Sequence, residues 1–417
     1  MNVYLRTFGC RANQYDIEAV RALLETSGHA IVGSAIDADV AVFNSCAVTA
    51  DAEGELRKAV RRAVREQPAL RSLVMGCAAA LDGDRPASIQ ITRLPSVEQV
   101  IAGADLSAIA AALDLGAAPA AVVTTIQSGT RALLRIQDGC DEHCTFCATT
   151  MARGANRSRS ADAIVHEAAG LAEHHPEIVI TGIHIGTYGS DTGASLGGLM
   201  MRLLRDVPSA RFRLSSIEAT EIDEHLAELL IGAPSRVVPQ IHAPLQSGSD
   251  RLLRRMGRHW YTSATYSSAI DRLATRMPIL GLGADVIAGF PGETDADHTA
   301  TMELVDRIPF TYLHVFPYSV RQGTAAARLP GHVASQVIRR RASELREIGA
   351  RKAAAYAASR AGGRADVVVL GARGGREGLT GDYLTVFPAD QTLPRGARFT
   401  ARLVLEQNRL FAHPDDR

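Results

Sequence analysis

The sequence has almost no lysine, no net charge and few aromatic residues. Lysine occurs at Lys58 and Lys352 alone, and arginine and alanine take its usual places. Over 417 residues, 45 basic side chains balance 45 acidic ones, so overall charge offers no footprint for nucleic acid or an anionic surface. No apolar run reaches membrane-spanning length. The alanine-rich stretch Ala108–Ala121 is interrupted by Asp114, Gly116 and Pro119 and reads as a helix end and linker. The opening Met1-Asn2-Val3-Tyr4-Leu5-Arg6-Thr7 has neither the basic flank nor the apolar core of a signal peptide. A cytoplasmic location without a membrane partner is therefore expected. The length calls for two or three domains.

Six cysteines are present, and without an export signal they point to a reducing compartment, where clustered thiols bind metal more often than they cross-link. Cys140, Cys144 and Cys147 form a C-x3-C-x2-C pattern in Gly139-Cys140-Asp141-Glu142-His143-Cys144-Thr145-Phe146-Cys147. Three thiolates on one tight loop suit three irons of a [4Fe-4S] cluster and leave the fourth iron open to a ligand. The alternatives are weaker. Structural zinc wants four closed ligands, and only His143 lies nearby; three close cysteines cannot pair evenly as disulfides.

Cys10, Cys46 and Cys77 stand alone, but each follows an expected strand: Val3–Phe8, Val40–Phe43 and Ser72–Met75. In an open α/β sheet those strand ends face one crevice. One buried cysteine is ordinarily inert; three at corresponding places favour a second cluster. Ser96–Ile101 and Leu106–Leu113 read as helices.

From Ala132 onward, strands alternate with helices. Leu133–Gln137, Ile178–Thr181, Phe212–Ser215, Val237–Ile241, Gly283–Ile287 and Thr311–Val315 read as strands. Six such units predict a parallel barrel or partial barrel with its site at the C-terminal strand ends. Polar residues expected on that rim are Glu218, Gln246 and Asp285. Arg153, Arg157 and Arg159 follow the cysteine loop as candidate contacts to a cofactor or to RNA phosphate. A long helix at Gln336–Ser359 leads to a small all-β module with strands Ala365–Leu370, Leu384–Phe387 and Phe399–Leu405.

These motifs resemble a family. The cysteine loop after a short strand is the signature of radical S-adenosylmethionine (SAM) enzymes. Thr7-Phe8-Gly9-Cys10-Arg11-Ala12-Asn13, Asn44-Ser45-Cys46-Ala47-Val48-Thr49 and Met75-Gly76-Cys77 resemble the N-terminal domain of the methylthiotransferases. His242-Ala243-Pro244-Leu245-Gln246-Ser247-Gly248-Ser249 resembles their barrel. The Asn-Gln-Tyr after Cys10, Ala152-Arg153-Gly154 and Leu313-His314-Val315-Phe316-Pro317-Tyr318-Ser319 are most similar to the MtaB type. Thr149-Thr150-Met151 departs from the family's apolar-Pro-aromatic segment, and Asn44-Ser45-Cys46 replaces Asn-Thr-Cys.

The resemblance implies an α/β chain of three parts. These are an N-terminal open α/β sheet domain over 1–122, a radical SAM partial (β/α)6 barrel over 126–360 and a TRAM-like β-barrel that binds RNA over 362–417. It implies two [4Fe-4S] clusters, an auxiliary one on Cys10, Cys46 and Cys77 and a radical-generating one on Cys140, Cys144 and Cys147. It implies SAM as cofactor, contacted by Thr181, Gly182, Glu218, Gln246, Asp285 and Arg153. The implied reaction places a methylthio group on C2 of N6-threonylcarbamoyladenosine in a tRNA anticodon stem-loop, by a monomer that draws electrons from a flavodoxin or ferredoxin. Isopentenyladenosine in tRNA and an aspartate of a ribosomal protein are the alternative substrates. A non-catalytic iron–sulfur or zinc module is the alternative from another class.

Overall fold

The structure is a computed structural model that describes residues 1–47, 50–84, 90–116, 124–371 and 376–415. Val48 and Thr49 of the second cysteine segment, and residues 117–121 of the expected linker, lie outside the described residues. The chain folds as two compact units. One comprises Met1–Ser128, Gln137–Arg157 and Ser319–Ala327; the other comprises Gly129–Ile136, Ser158–Tyr318 and Arg328–Arg417.

The first unit is built on a five-stranded parallel sheet of β1 (Asn2–Thr7), β2 (Ala30–Val32), β3 (Val40–Ser45), β4 (Arg71–Gly76) and β5 (Val97–Ala102), in the order β2-β1-β3-β4-β5. β3 is buried along its whole length, as expected of a central parallel strand covered on both faces. Its side chains alternate: Val40 and Val42 join Val20, Leu24 and Met75 on one face, while Ala41 and Phe43 join Leu56, Val60 and Val74 on the other. The helices α1 (Arg11–Thr26) and α2 (Ala50–Glu66) supply those layers. α3 (Cys77–Ala80) starts directly at the end of β4, and α4 (Leu106–Ala112) is capped by Asp105, whose carboxylate accepts from the Ser107 and Ala108 amides.

The Ser96–Ile101 segment is strand β5, not a helix. Its polar Glu98 and Gln99 are exposed at the sheet edge, so the expected alternation is blurred, and pairing with β4 shifts register between Ser72 and Leu73. Tertiary pairing overrides a weak local preference here.

In the second unit, two three-stranded parallel sheets follow one another. The first holds Ala132–Arg135, Ile178–Thr181 and Phe212–Leu214; the second holds Gln240–His242, Gly281–Ala288 and Tyr312–Pro317. Parallel bridges Phe212↔Val237 and Ser216↔His242 join them into a run of six strands. With helices such as Ala161–His174, Leu196–Asp206 and Asp295–Arg307 between the strands, this is the expected partial (β/α)6 barrel. Its core includes Leu134, Ile180, Leu214, Ile241 and Val286.

Ser335–Arg360 is the long helix, and after it five strands close into a barrel. Two of them, Glu377–Thr380 and Arg409–Pro414, were not expected from the sequence. Gly378 accounts for the first: glycine is a poor strand former, yet a Cβ there would lie 2.6 Å from Val367 Cγ1 and crowd that side chain. The barrel is fastened by charge. Glu177 accepts from Arg211 at 2.6 Å and from Arg213 at 2.7 Å, and Arg213 also donates to the carbonyls of Thr380 and Gly381 at 3.1 and 3.0 Å. Burial alone would raise the Glu177 pKa, but Arg213 and Arg211 outweigh it and hold the carboxyl well below its ordinary range. No helix among the described residues is long and apolar enough to cross a membrane.

Candidate functional site

The three separate cysteines meet. Cys10 is the residue before α1, Cys46 follows β3 and Cys77 begins α3. The Sγ atoms of Cys10 and Cys77 lie 3.9 and 3.8 Å from one atom, Asn13 Oδ1. Cys46 comes against Gly9, whose φ of +91° favours glycine and where a Cβ would fall 2.4 Å from Cys46 Sγ. A side chain at position 9 would fill the space in front of that thiol.

Buried amides hold the arrangement. Asn13 Nδ2 donates to the Phe8 carbonyl at 3.0 Å and the Ser45 carbonyl at 2.8 Å, which ties the first cysteine segment to the second. Asn44 Nδ2 donates back to the Asn13 carbonyl at 2.7 Å. Ser45 Oγ donates to the Met75 carbonyl at 2.5 Å and accepts from the Ala79 amide at 3.0 Å, which ties the second segment to the third. The serine of Asn44-Ser45-Cys46 therefore serves as the link between β3 and α3.

Cys140, Cys144 and Cys147 belong to this same unit and are half-buried. Their loop is set by local turn chemistry. The Cys140 amide donates to the Gly154 carbonyl at 3.0 Å, the Asn156 amide to Asp141 Oδ1 at 3.0 Å and the Cys147 amide to the Cys144 carbonyl at 3.1 Å. Gln137 Nε2 donates to the Gly139 carbonyl at 2.6 Å and also contacts Asn156 Oδ1. Gly139 has φ of +75°, and a Cβ there would lie 1.9 Å from the Ala155 carbonyl oxygen.

The helix α5 (Thr149–Arg153) follows the loop. Its first residue, one of the departures noted above, places its hydroxyl 3.0 Å from Cys147 Sγ. Its last residue, Arg153, is buried and makes no exposed contact of the kind its sequence context suggests. Nε donates to Cys77 Sγ at 3.1 Å, one terminal nitrogen donates to Asn13 Oδ1 and Asp16 Oδ2 at 2.7 Å each, and the other donates to Asp138 Oδ1 at 3.0 Å. Burial works against the guanidinium charge, but Asp16, Cys77 and Asp138 outweigh it and leave its pKa raised. Burial pushes the Cys77 thiol up to about 12, and Arg153 partly opposes this. A bound metal displaces that proton.

The donors fit iron–sulfur clusters. Among the described residues, the one group with three metal-type ligand atoms all within 4.8 Å is His242, Asp285 and His314. Four thiolates around one zinc sit about 3.8 Å apart for Zn–S bonds of ~2.3 Å. Cysteine triplets spread wider than that suit separate irons of a cubane.

In the second unit, Thr181 ends its strand, Glu218 and Gln246 lie in the segments that follow theirs, and Asp285 lies inside its strand. Thr181 ends its strand and is buried, with Oγ1 lacking a hydrogen-bond partner; Gly182 follows it, half-buried. Glu218 is buried and paired with Arg258, and its Oε2 also lacks a partner. Burial raises the Glu218 pKa, with Arg258 opposing. Two unpartnered buried oxygens on neighbouring strand ends are what a polar ligand would satisfy.

Gln246 has φ of +62°, and its backbone bonds Asp285 and Ile287. Asp285 does not end its strand, which runs on to Ala288. Its Oδ1 accepts from His242 at 2.9 Å and from His314 at 3.2 Å, while Tyr312 Oη lies 3.2 Å from the other nitrogen of His242 and accepts from Gln240 at 2.8 Å. Burial opposes the carboxylate charge, yet these two histidines hold Asp285 well below its ordinary range. His242 and His314 were missed as partners of Asp285 because parallel register, which places Asp285 opposite His314, is not visible in sequence.

Comparison with known proteins gives consistent results. A model described as "Uncharacterized protein family UPF0004" matches residues 2–94, and the radical SAM superfamily matches residues 134–305. Threonylcarbamoyladenosine tRNA methylthiotransferase MtaB of Rickettsia prowazekii is 36% identical over 359 residues, covering 82% of this chain and 82% of that protein. The tRNA-2-methylthio-N(6)-dimethylallyladenosine synthase of a Parafrankia species is 32% identical over 400 residues, covering 90% of this chain and 79% of that protein. In fold, the chain is similar to the radical S-adenosylmethionine methyltransferase TsrM of Kitasatospora setae, with a TM-score of 0.58 over 78% of this chain and 77% of that one, at 14% identity.

Proposed function

This chain belongs to the radical SAM tRNA methylthiotransferases of the MtaB type, and from that premise we propose that it places a methylthio group on C2 of N6-threonylcarbamoyladenosine, beside the anticodon of tRNA. It is a sulfur-group transferase that uses SAM and an iron–sulfur cluster. The observation that carries the finer reading is the approach of Cys10 and Cys77 to Asn13, with Cys46 against the neighbouring Gly9, in the unit that also holds the cysteine loop.

An adenine C2–H bond is unactivated, so acid or base chemistry alone does not replace it. When bound, the loop cluster supplies the electron that turns SAM into a radical source. In this reading Cys140, Cys144 and Cys147 hold that cluster, and Cys10, Cys46 and Cys77 hold an auxiliary [4Fe-4S] cluster. Thr181, Gly182, Glu218, Gln246 and Asp285 face SAM, with Asp285 oriented by His242 and His314. The residues fall into functional segments at 1–122, 126–360 and 362–417. The C-terminal barrel takes RNA phosphate, a role supported by Arg402 and Arg409, which are exposed on it. The enzyme acts in the cytoplasm as a monomer, reduced by a flavodoxin or ferredoxin.

Relatives named for dimethylallyladenosine support a second reading, in which that nucleoside is the substrate. Nucleoside mass spectrometry on tRNA from a deletion strain decides between them. Loss of 2-methylthio-N6-threonylcarbamoyladenosine, restored by the gene, is expected. Loss of the dimethylallyl counterpart instead would overturn the first reading.

A further inference from the structure

The helix α5 is short, yet each end places a hydrogen-bonding group on the sulfur of a different cysteine triplet. Thr149 meets Cys147 beside it in sequence. Arg153 meets Cys77, which lies far away in the chain and in the other triplet. The Arg153 guanidinium is buried, and every partner given for it belongs to the cysteine-bearing segments: Asn13 and Asp16 on α1, Asp138 before the loop, and Cys77 on α3.

Direction matters in this cluster of charges. The carboxylates of Asp16 and Asp138 bind the terminal nitrogens, while Nε faces the thiol. Arg153 and Asp16 together carry little net charge, but they form a buried dipole whose positive end touches Cys77 Sγ. Hydrogen bonds to a cluster's sulfurs, and positive potential near them, favour its reduced form. Water does not screen the contact, because the Arg153 and Asp16 side chains are only 2% and 0% exposed.

We infer that Arg153 is a positioning residue for the auxiliary cluster, fixing the orientation of Cys77 and raising that cluster's reduction potential through its Nε–H···S bond. The inference rests on the proposed assignment of Cys10, Cys46 and Cys77 to a cluster. A structural role alone, as an ion pair filling the space between α1 and α3, would leave the potential unchanged once the protein folds.

The test uses the full chain carrying Cys140→Ala, Cys144→Ala and Cys147→Ala, reconstituted with iron and sulfide, so that one cluster is observed. Iron content and the midpoint potential are measured by redox titration followed by EPR. Asp16→Asn should move the midpoint to a more positive value, because the more deeply buried of the two carboxylates that compensate the guanidinium is then neutral. Arg153→Gln combined with Asp16→Asn leaves no buried unpaired charge at the pair and should move it to a more negative value, with iron retained. Arg153→Lys, which keeps the charge but loses the planar fork, should fall between that double variant and the parent.

Equal midpoints in all these proteins, with iron retained, would overturn the role of Arg153 and leave the cluster assignment standing. A parent variant that binds no cluster at all would overturn the assignment, and the inference with it.

Discussion

Cys140, Cys144 and Cys147 share one half-exposed loop, whereas Cys10, Cys46 and Cys77 are gathered from three strand ends, two of the three being buried. The loop triplet is shaped by contacts within its own stretch of chain: Gly139 against Ala155, Cys140 against Gly154, Cys147 against Cys144. The assembled triplet is shaped by buried polar side chains that span the chain, with Asn13 reaching Ser45 and Cys77, and Arg153 reaching Asp16 and Cys77. The first kind of site tolerates change elsewhere in the fold and fails by local strain. The second depends on the sheet and on each link between its segments.

The largest expected effect separates the two by function. Cys46→Ala should abolish methylthio transfer to tRNA, while reduced enzyme still cleaves SAM to 5′-deoxyadenosine. Circular dichroism on the same sample confirms that β3 and its neighbours remain folded. Normal methylthio transfer would mean that Cys46 is only a core residue.

Glu177→Gln is the control for buried charge that serves neither triplet. It leaves Arg211 and Arg213 facing a neutral partner and should cost roughly 3–5 kcal/mol of stability, measured by denaturant unfolding. The pH dependence follows in sign. Glu177 has an ordinary value of 4.5 and a folded value held well below it. Its contribution is therefore present above about pH 4.5 and is lost as pH falls further; the variant lacks that loss. Iron content at neutral pH should be unchanged in the folded variant, and a fall in either cluster would tie this network to the metal sites.

Gly139→Ala should do the reverse of Cys46→Ala. It combines a left-handed φ with contact on the Ala155 carbonyl, a strain on the order of 1–3 kcal/mol confined to the loop. SAM cleavage should fall while the auxiliary cluster's iron stays, as read by iron analysis and EPR. Thr149→Val should have the smallest effect, removing one hydroxyl contact with Cys147 that is worth about 1 kcal/mol. A modest negative shift in the loop cluster's midpoint, with no shift in the other, is the expected result; equal shifts in both would erase the distinction between the two ends of α5.

The same contrast explains what was legible in the sequence. Cysteine spacing exposed the loop triplet directly, and three strand-plus-cysteine repeats exposed the assembled one, because strand ends of a parallel sheet share an edge. Asn13 and Asp16 were not legible as supports. On α1 they look like the polar face of a surface helix, but both are buried, with Arg153 bonded to each and Ser45 to Asn13. Arg153, beside the cysteine loop, read as a candidate contact to SAM or RNA phosphate, because its buried partners Asp16 and Cys77 lie far away in the chain. The six barrel strands showed as separate apolar runs, but the pairing of Asp285 with His242 and His314 depends on register between strands, which periodicity does not encode. The strands Glu377–Thr380 and Arg409–Pro414 were hidden because barrel closure, not strand propensity, holds them.

Two cluster sites of different construction in one unit are what most needs testing. Iron and sulfide analysis of the anaerobically reconstituted Cys140→Ala, Cys144→Ala, Cys147→Ala variant beside the unaltered chain tests that most directly. Two cubanes predict about eight irons per chain in the unaltered protein and about four in the variant. About four in the unaltered protein and none in the variant would show that Cys10, Cys46 and Cys77 hold no cluster.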